Sequence, residues 1–245
     1  MKLSKLSTAI ASAIVYSATL TAANAAQWDI TVTNLTHGNH FTPLLLTAHN
    51  AGSHLFQTGE AASDAIRAMA ECGDLSVLAT TPEGAPDDDT VANPAGGALA
   101  GGMKTSATLT TIDASTSYLS IVAMILPTND AFMGMDAQHI PSEAGTYTYY
   151  INGYDAGTEA NDELLSTDAN YTCTPGEGGF MPGAPGKDAD SGGTGVSNAD
   201  TNTLIHVHRG VLGDTGVTGG GASDLDNTVH RWQNPVAKIV VTVTP

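Results

Sequence analysis

Seven short runs of β-branched and aromatic residues, each cut off by Gly, Asn, Asp or Pro, constrain this chain more than any other feature. They span residues 27–33, 41–49, 106–112, 118–126, 146–154, 203–209 and 237–244. Apolar and polar residues alternate within most of them, which puts one face of each strand on a core and the other in water. Repeated strands with turn signals between them predict an all-β protein, an antiparallel β-sandwich of C2-like or Ig-like form with about eight strands. One helix interrupts the series. Residues 60–72 carry Ala62, Ile66, Met69 and Ala70 as an apolar stripe, and Gly73 stops them. A single helix among so many strands excludes a regular βαβ fold.

Two stretches cannot bury enough apolar area to offset their ordering entropy and are expected as surface loops. Residues 81–102 contain Asp87, Asp88 and Asp89, and a Gly/Asp-rich insertion covers 161–203, loosest over 166–202. The strands flanking both are of one kind, so one decorated domain over residues 26–245 is expected.

Residues 1–25 read as an export signal: Lys2 and Lys5 begin it, an Ala-rich apolar middle follows, and Ala23-Asn24-Ala25 has the small-residue form of a cleavage site. A secreted, periplasmic or cell-surface product follows, with no membrane span, since nothing later approaches about 20 consecutive apolar residues. Cleavage removes two of the eight basic residues and none of the 25 acidic ones, taking the formal charge from −17 to −19. Such a surface repels phosphate backbones and anionic membranes and leaves cations or basic partners as its electrostatic match. Cys72 and Cys173 are the two cysteines. In an oxidising compartment they are expected to pair.

The stretch Asn152-Gly153-Tyr154-Asp155-Ala156-Gly157-Thr158-Glu159 continues through Asp162 and Glu163, so four acids follow directly on a strand. Gly157 permits the tight backbone that turns Asp155 and Glu159 toward one point. A hard cation takes six to eight oxygens, so this pair needs backbone carbonyls, water or a distant acid beside it. The spacing is not that of an EF-hand. A merely solvated turn and a catalytic carboxylate pair are the competing readings.

His206 and His208 lie two apart on a predicted strand and share a face, a form that suits zinc or copper. The number of histidines that follow is too small for the copper and zinc sites of a superoxide dismutase, because only His230 comes later. His37, His40, His49 and His54 could complete a site from other strands, which defines the alternative of an exported metalloenzyme. The chain has no nucleophile elbow, H-E-x-x-H, Walker loop or dinucleotide-binding glycine pattern.

Residues Pro127-Thr128-Asn129-Asp130-Ala131-Phe132-Met133-Gly134-Met135-Asp136 and Tyr154-Asp155-Ala156-Gly157-Thr158-Glu159 resemble two motifs of the spondin N-terminal domain, the extracellular module of F-spondin and mindin. Asn34-Leu35-Thr36, His40-Phe41-Thr42-Pro43 and Arg231-Trp232-Gln233-Asn234-Pro235 are similar to the bacterial form of that domain. The resemblance implies an eight-stranded C2-like sandwich with one divalent cation, Ca²⁺, at the loop end, held by Asp130, Asp155 and Glu159. Asp130 is then the distant acid that the loop pair requires. Ala131 stands where the animal motif has Trp, Glu159 where it has Asp, and the insertion over 166–202 has no counterpart in the animal modules. On this resemblance the function expected is extracellular binding or adhesion to a protein or polysaccharide, without catalysis.

Overall fold

The computed structural model describes residues 25–80, 90–111, 115–164, 173–175, 202–215 and 223–245. All but the last residue of the expected export signal, the Asp87-Asp88-Asp89 triplet and most of the 161–203 insertion lie outside the described residues.

The strands are β1 (Gln27–Asn34), β2 (His40–Phe41), β3 (Leu45–His49), β4 (Thr90–Ala92), β5 (Lys104–Thr110), β6 (Tyr118–Leu126), β7 (Ala131–His139), β8 (Gly145–Asp155), β9 (His206–Val207) and β10 (Ala237–Thr244), with helix α1 at Asp64–Cys72. Every strand pair is antiparallel, in the order β4-β3-β6-β7-β8-β10-β1-β5; β2 pairs with β6, and β9 with β8. β8 is the corner between the two layers. Its residues 145–151 pair with β10, while 152–155 turn to pair with β7. The last strand of the chain, β10, enters between β8 and β1 and so closes the layer begun by the first.

Alternation explains the first layer. Trp28, Ile30 and Val32 of β1 and Ile239, Val241 and Val243 of β10 point inward, onto Leu119, Ile121, Ala123 and Ile125 of β6 and Ala131 and Met133 of β7. The opposite face carries hydroxyls that pair across strands, as Thr31 with Ser106 at 3.0 Å and Thr146 with Thr242 at 3.3 Å. Each large side chain buried here contributes roughly 1.5–3 kcal/mol of transfer free energy.

The second layer is apolar on both faces. Its inner side joins the main core, whereas Leu45, Val122, Met124 and Phe132 face outward onto Ile66, Met69 and Ala70 of α1 in a second cluster. That double burial is why β7 was missed as a strand: residues 131–135 are all buried, so they show no period of two. β4, three residues long, falls within the stretch 81–102 expected as a surface loop, and it is too short to show a period.

Other boundaries differ for local reasons. The predicted strand 41–49 is split at Thr42-Pro43, where proline removes a ladder donor. The helix starts at Asp64, because Ser63 caps it by accepting from Ile66 N at 3.2 Å. It ends at Gly73, whose φ of 65° places it in the left-handed region with its N–H on Met69 O. Of the predicted strand 203–209 only His206–Val207 pairs, since β9 meets only the last two residues of β8. Cys72 and Cys173 form a disulfide, as expected, and it ties the end of α1 to Cys173, 101 residues on. Among the described residues no helix is long and apolar enough to cross a membrane.

Candidate cation site

Strand pairing brings the two acidic motifs together. Ala131 at the start of β7 sits opposite Asp155 at the end of β8, so Asp130 and the turn after Asp155 share one end of the sheet. Ala156 N donates to Asp130 O at 3.3 Å, which continues the ladder one step beyond the strands. Gly157, with a φ of 70°, then reverses the chain, and its N–H donates to Asp155 Oδ1 at 2.8 Å.

The reversal points two further N–H groups at Asp130. Its Oδ2 accepts from Thr158 N at 2.8 Å, Glu159 N at 3.1 Å and Thr158 Oγ1 at 3.2 Å. One oxygen of Asp130 therefore organises the turn. The other, Oδ1, is buried and has no hydrogen-bond partner, and the same holds for Glu159 Oε2. Asp130, Asp155 and Glu159 are 0%, 2% and 2% exposed. Buried carboxylates are normally paired or coordinating, so two bare oxygens at one place call for a cause.

Asp155 is better supplied. Asn161 Nδ2 donates to its Oδ2 at 2.6 Å, and His206 Nε2 lies 3.6 Å from the same oxygen. The carboxyl of Asp130 is pushed up to about 7 by burial, with the charge of Asp155 adding to it and the Thr158 and Glu159 donors opposing. That of Glu159 is pushed up to about 10, again by burial first and then by the charges of Glu71, Asp130 and Asp162. Both carboxyls thus keep their protons to higher pH than an ordinary carboxylate does. Among the described residues no three His, Cys, Asp or Glu side chains are arranged as they stand to hold a metal ion.

The other two loop acids go elsewhere. Asp162 Oδ1 accepts from Asn129 Nδ2 at 3.0 Å and Leu164 N at 3.1 Å. The carboxylate of Glu163 grips Leu212 N, Gly213 N and Ser223 Oγ at 2.7–2.8 Å, fastening these three residues to the loop. Residues 155–163 thus divide between an electrostatic cluster and a structural clasp. Asn129, Asn161 and Glu71 belong to the neighbourhood of the site yet gave no signal in the sequence, since amides and one helix glutamate carry no pattern of their own.

The histidines do not assemble. His208 is neutral, its ring pushed down to about 4 chiefly by burial. Nε2–H donates to Asn161 Oδ1 at 3.0 Å and Nδ1 accepts from Gly210 N at 2.9 Å, so neither nitrogen is open to a metal. His49 donates from Nδ1 to Asn50 O and accepts from Ser120 Oγ at 2.7 Å, a fully buried pair. His54 Nδ1 is 2.6 Å from Asp136 Oδ2.

Gly157 also offers a test of the turn itself. A Cβ there would lie 2.6 Å from the backbone carbon of Thr203, in a φ region that L side chains avoid. Gly157→Ala is expected to cost about 2 kcal/mol or more and to lower the urea midpoint accordingly.

No curated protein matches the chain. Residues 31–175 match the family model described as Spondin_N, which takes in β1 from Thr31 through β8, helix α1, both acidic motifs and both cysteines. With more than half of its length matched and the two motifs meeting at one end of an all-β sandwich, this chain belongs to the Spondin_N family.

Proposed function

We propose that the chain is an exported extracellular binding module whose recognition loops are fixed by one Ca²⁺ at Asp130, Asp155 and Glu159. The observation that supports this most is the pair of buried carboxylate oxygens, Asp130 Oδ1 and Glu159 Oε2, without protein partners. They fit a hard divalent cation: oxygen donors, formally anionic, at a place with few opposing positive charges. Bound there, Ca²⁺ would supply positive charge, and backbone carbonyls and water would complete its oxygen shell. The chain's own residues do the rest. Asp130 Oδ2 holds the 157–159 turn, Asn161 orients Asp155, and Glu163 fastens the neighbouring loop, so that the sheet end presents a fixed surface.

The family supports an extracellular-type module, and the Cys72–Cys173 disulfide suits an oxidising compartment. Residues 1–25 act as the export signal in this reading, and 26–245 as the mature domain. Its partner is a protein or a polysaccharide outside the cell, and binding rather than catalysis is its work. A zinc or copper enzyme centred on His206 and His208 has less support, because His208 is already held at both nitrogens.

Thermal melting separates the two. Calcium is expected to raise the melting temperature over that in chelator, through RT ln(1 + [L]/Kd), about 2.7 kcal/mol at a hundredfold excess over Kd. A protein indifferent to calcium but stabilised by zinc would overturn the carboxylate reading in favour of the histidines.

A further inference from the structure

Strand β5 ends the sheet order: β1 lies on one side of it and, among the described residues, no strand pairs with the other. The phase of its hydrogen bonds is fixed at both ends. Asn34 N donates to Met103 O at 3.0 Å and Thr111 N donates to Ala26 O at 2.9 Å, and these two pairs continue the β1–β5 register beyond the strand. In an antiparallel ladder bonded pairs alternate with unbonded ones, so Thr105, Ala107 and Leu109 bond to β1 while the main-chain N–H and C=O of Lys104, Ser106 and Thr108 point away from it. Among the described residues no main-chain bond reaches those groups.

β5 carries few of the devices that keep an exposed edge from pairing. It is seven residues long, its register with β1 runs unbroken, and it has no proline, no acid and one lysine, Lys104, at its first position. The rim is open there. Thr105 and Ala107 belong to the inward-facing set yet are only half-buried, whereas Leu109 is buried, and Met103 beside the strand is 58% exposed.

The strand is also self-complementary. About a twofold axis through Ala107, two copies set Ser106 against the second copy's Thr108 and Lys104 against its Thr110, so outward main-chain groups meet outward ones. Ala107, the smallest side chain in the strand, then meets itself at an unbonded pair, where antiparallel strands come closest. Ser106 and Thr108 meet hydroxyl to hydroxyl, as Thr31 and Ser106 already do at 3.0 Å. A formal charge of −17 makes copies repel over most of their surface, and a strand without acids is where that repulsion is least. On the same face Asp29 of β1 stands opposite Thr108 and accepts from its Oγ1 at 2.8 Å.

We propose that β5 is a dimer edge: two copies pair antiparallel through it, centred on Ala107, and join their sheets into one. The inference is independent of the calcium reading. For the binding role proposed above it makes the molecule bivalent.

A single strand pair is a small contact, so Kd is expected at about 10–200 μM. Sedimentation velocity of the mature chain from about 5 μM to about 1 mM is expected to show a monomer–dimer equilibrium that tightens about threefold or more between about 0.05 M and about 1 M NaCl, as the repulsion is screened. Hydrogen exchange at the Ser106 and Thr108 amides is expected to slow about twofold or more over the same rise in concentration. Ser106→Pro removes an outward N–H that β1 does not use and is expected to weaken dimerisation about tenfold or more. Ser106→Ala keeps the main chain and is expected to match the wild type within about twofold. Equal weakening by both variants would assign the contact to the serine hydroxyl and overturn the pairing. A chain that stays monomeric, its edge left to water or to another protein, overturns the inference. So does a dimer whose Ser106 and Thr108 amides exchange as fast as in the monomer, since it pairs elsewhere. Slow exchange at those amides in the dilute monomer overturns it as well, because the chain then covers its own edge. Should the proline variant fail to fold, the exchange measurement on the wild type decides alone.

Discussion

Glu159→Gln is expected to raise the melting temperature at pH 8 in chelator and to abolish the further rise that calcium gives the wild type. The sign follows from linkage. Burial and the charges of Glu71, Asp130 and Asp162 push the folded Glu159 carboxyl up to about 10, and Asp130 is pushed up to about 7 by burial and Asp155. Above the ordinary carboxylate range of about 4 the unfolded chain has released these protons while the folded chain keeps them. The folded state therefore binds more protons, and its stability falls as pH rises from about 4 toward those values. Glutamine takes no part in that exchange. Removing Glu159 from it is expected to return about 2 kcal/mol at pH 8, some 4–8 °C for a chain of this size. The gain should shrink to nothing near pH 4. In excess calcium the order inverts, because the wild type regains stability from the ion and the variant has lost a ligand. A variant less stable than wild type at pH 8 in chelator would mean that Glu159 is satisfied by the protein alone.

The disulfide carries the second large effect. Cys72 and Cys173 are separated by 101 residues, and the loop between them contains β4 to β8. In the chain-entropy account a cross-link over about 100 residues removes about 4–5 kcal/mol of unfolded-state entropy. Stabilities of whole domains are about 5–15 kcal/mol, so the double variant Cys72→Ser/Cys173→Ser stands to lose a large part of the total. Urea unfolding is expected to show its midpoint lowered by about 2 M, with a steeper slope because the unfolded chain without the cross-link is more expanded. Reduction of the wild type should reproduce the shift. A midpoint equal to that of the oxidised wild type would place the stabilisation elsewhere, in the two apolar clusters.

What was legible in the sequence divides along physical lines. β1, β6 and β10 were read within a residue of their bounds, because one face of β1 and β10 is wet and their alternation shows, while β6 is a long β-rich run closed by Pro127. β7 was not, because α1 covers its outer side and removes the alternation on which detection rests. The disulfide needed only two cysteines and a compartment. Asp130, Asp155 and Glu159 were brought forward by their motifs, and the register of Ala131 against Asp155 explains why two segments some 25 residues apart in the chain share a sheet end. Glu71 could not have been found that way. Its burial depends on how a helix packs across the sheet, which no local pattern records. The His206/His208 reading has less support for a related reason: spacing puts two imidazoles near one face, but only hydrogen-bond partners decide whether their nitrogens are open, and Asn161 and Gly210 occupy both on His208.

The central claim is that a hard cation is bound by two carboxylate oxygens that have no protein partner, Asp130 Oδ1 and Glu159 Oε2. A crystal structure grown in calcium tests it most directly. The expected result is one ion with Asp130 Oδ1 and Glu159 Oε2 at about 2.3–2.6 Å and the rest of its shell made of oxygens. Asp130 Oδ1 and Glu159 Oε2 without an ion on them in saturating calcium would contradict it.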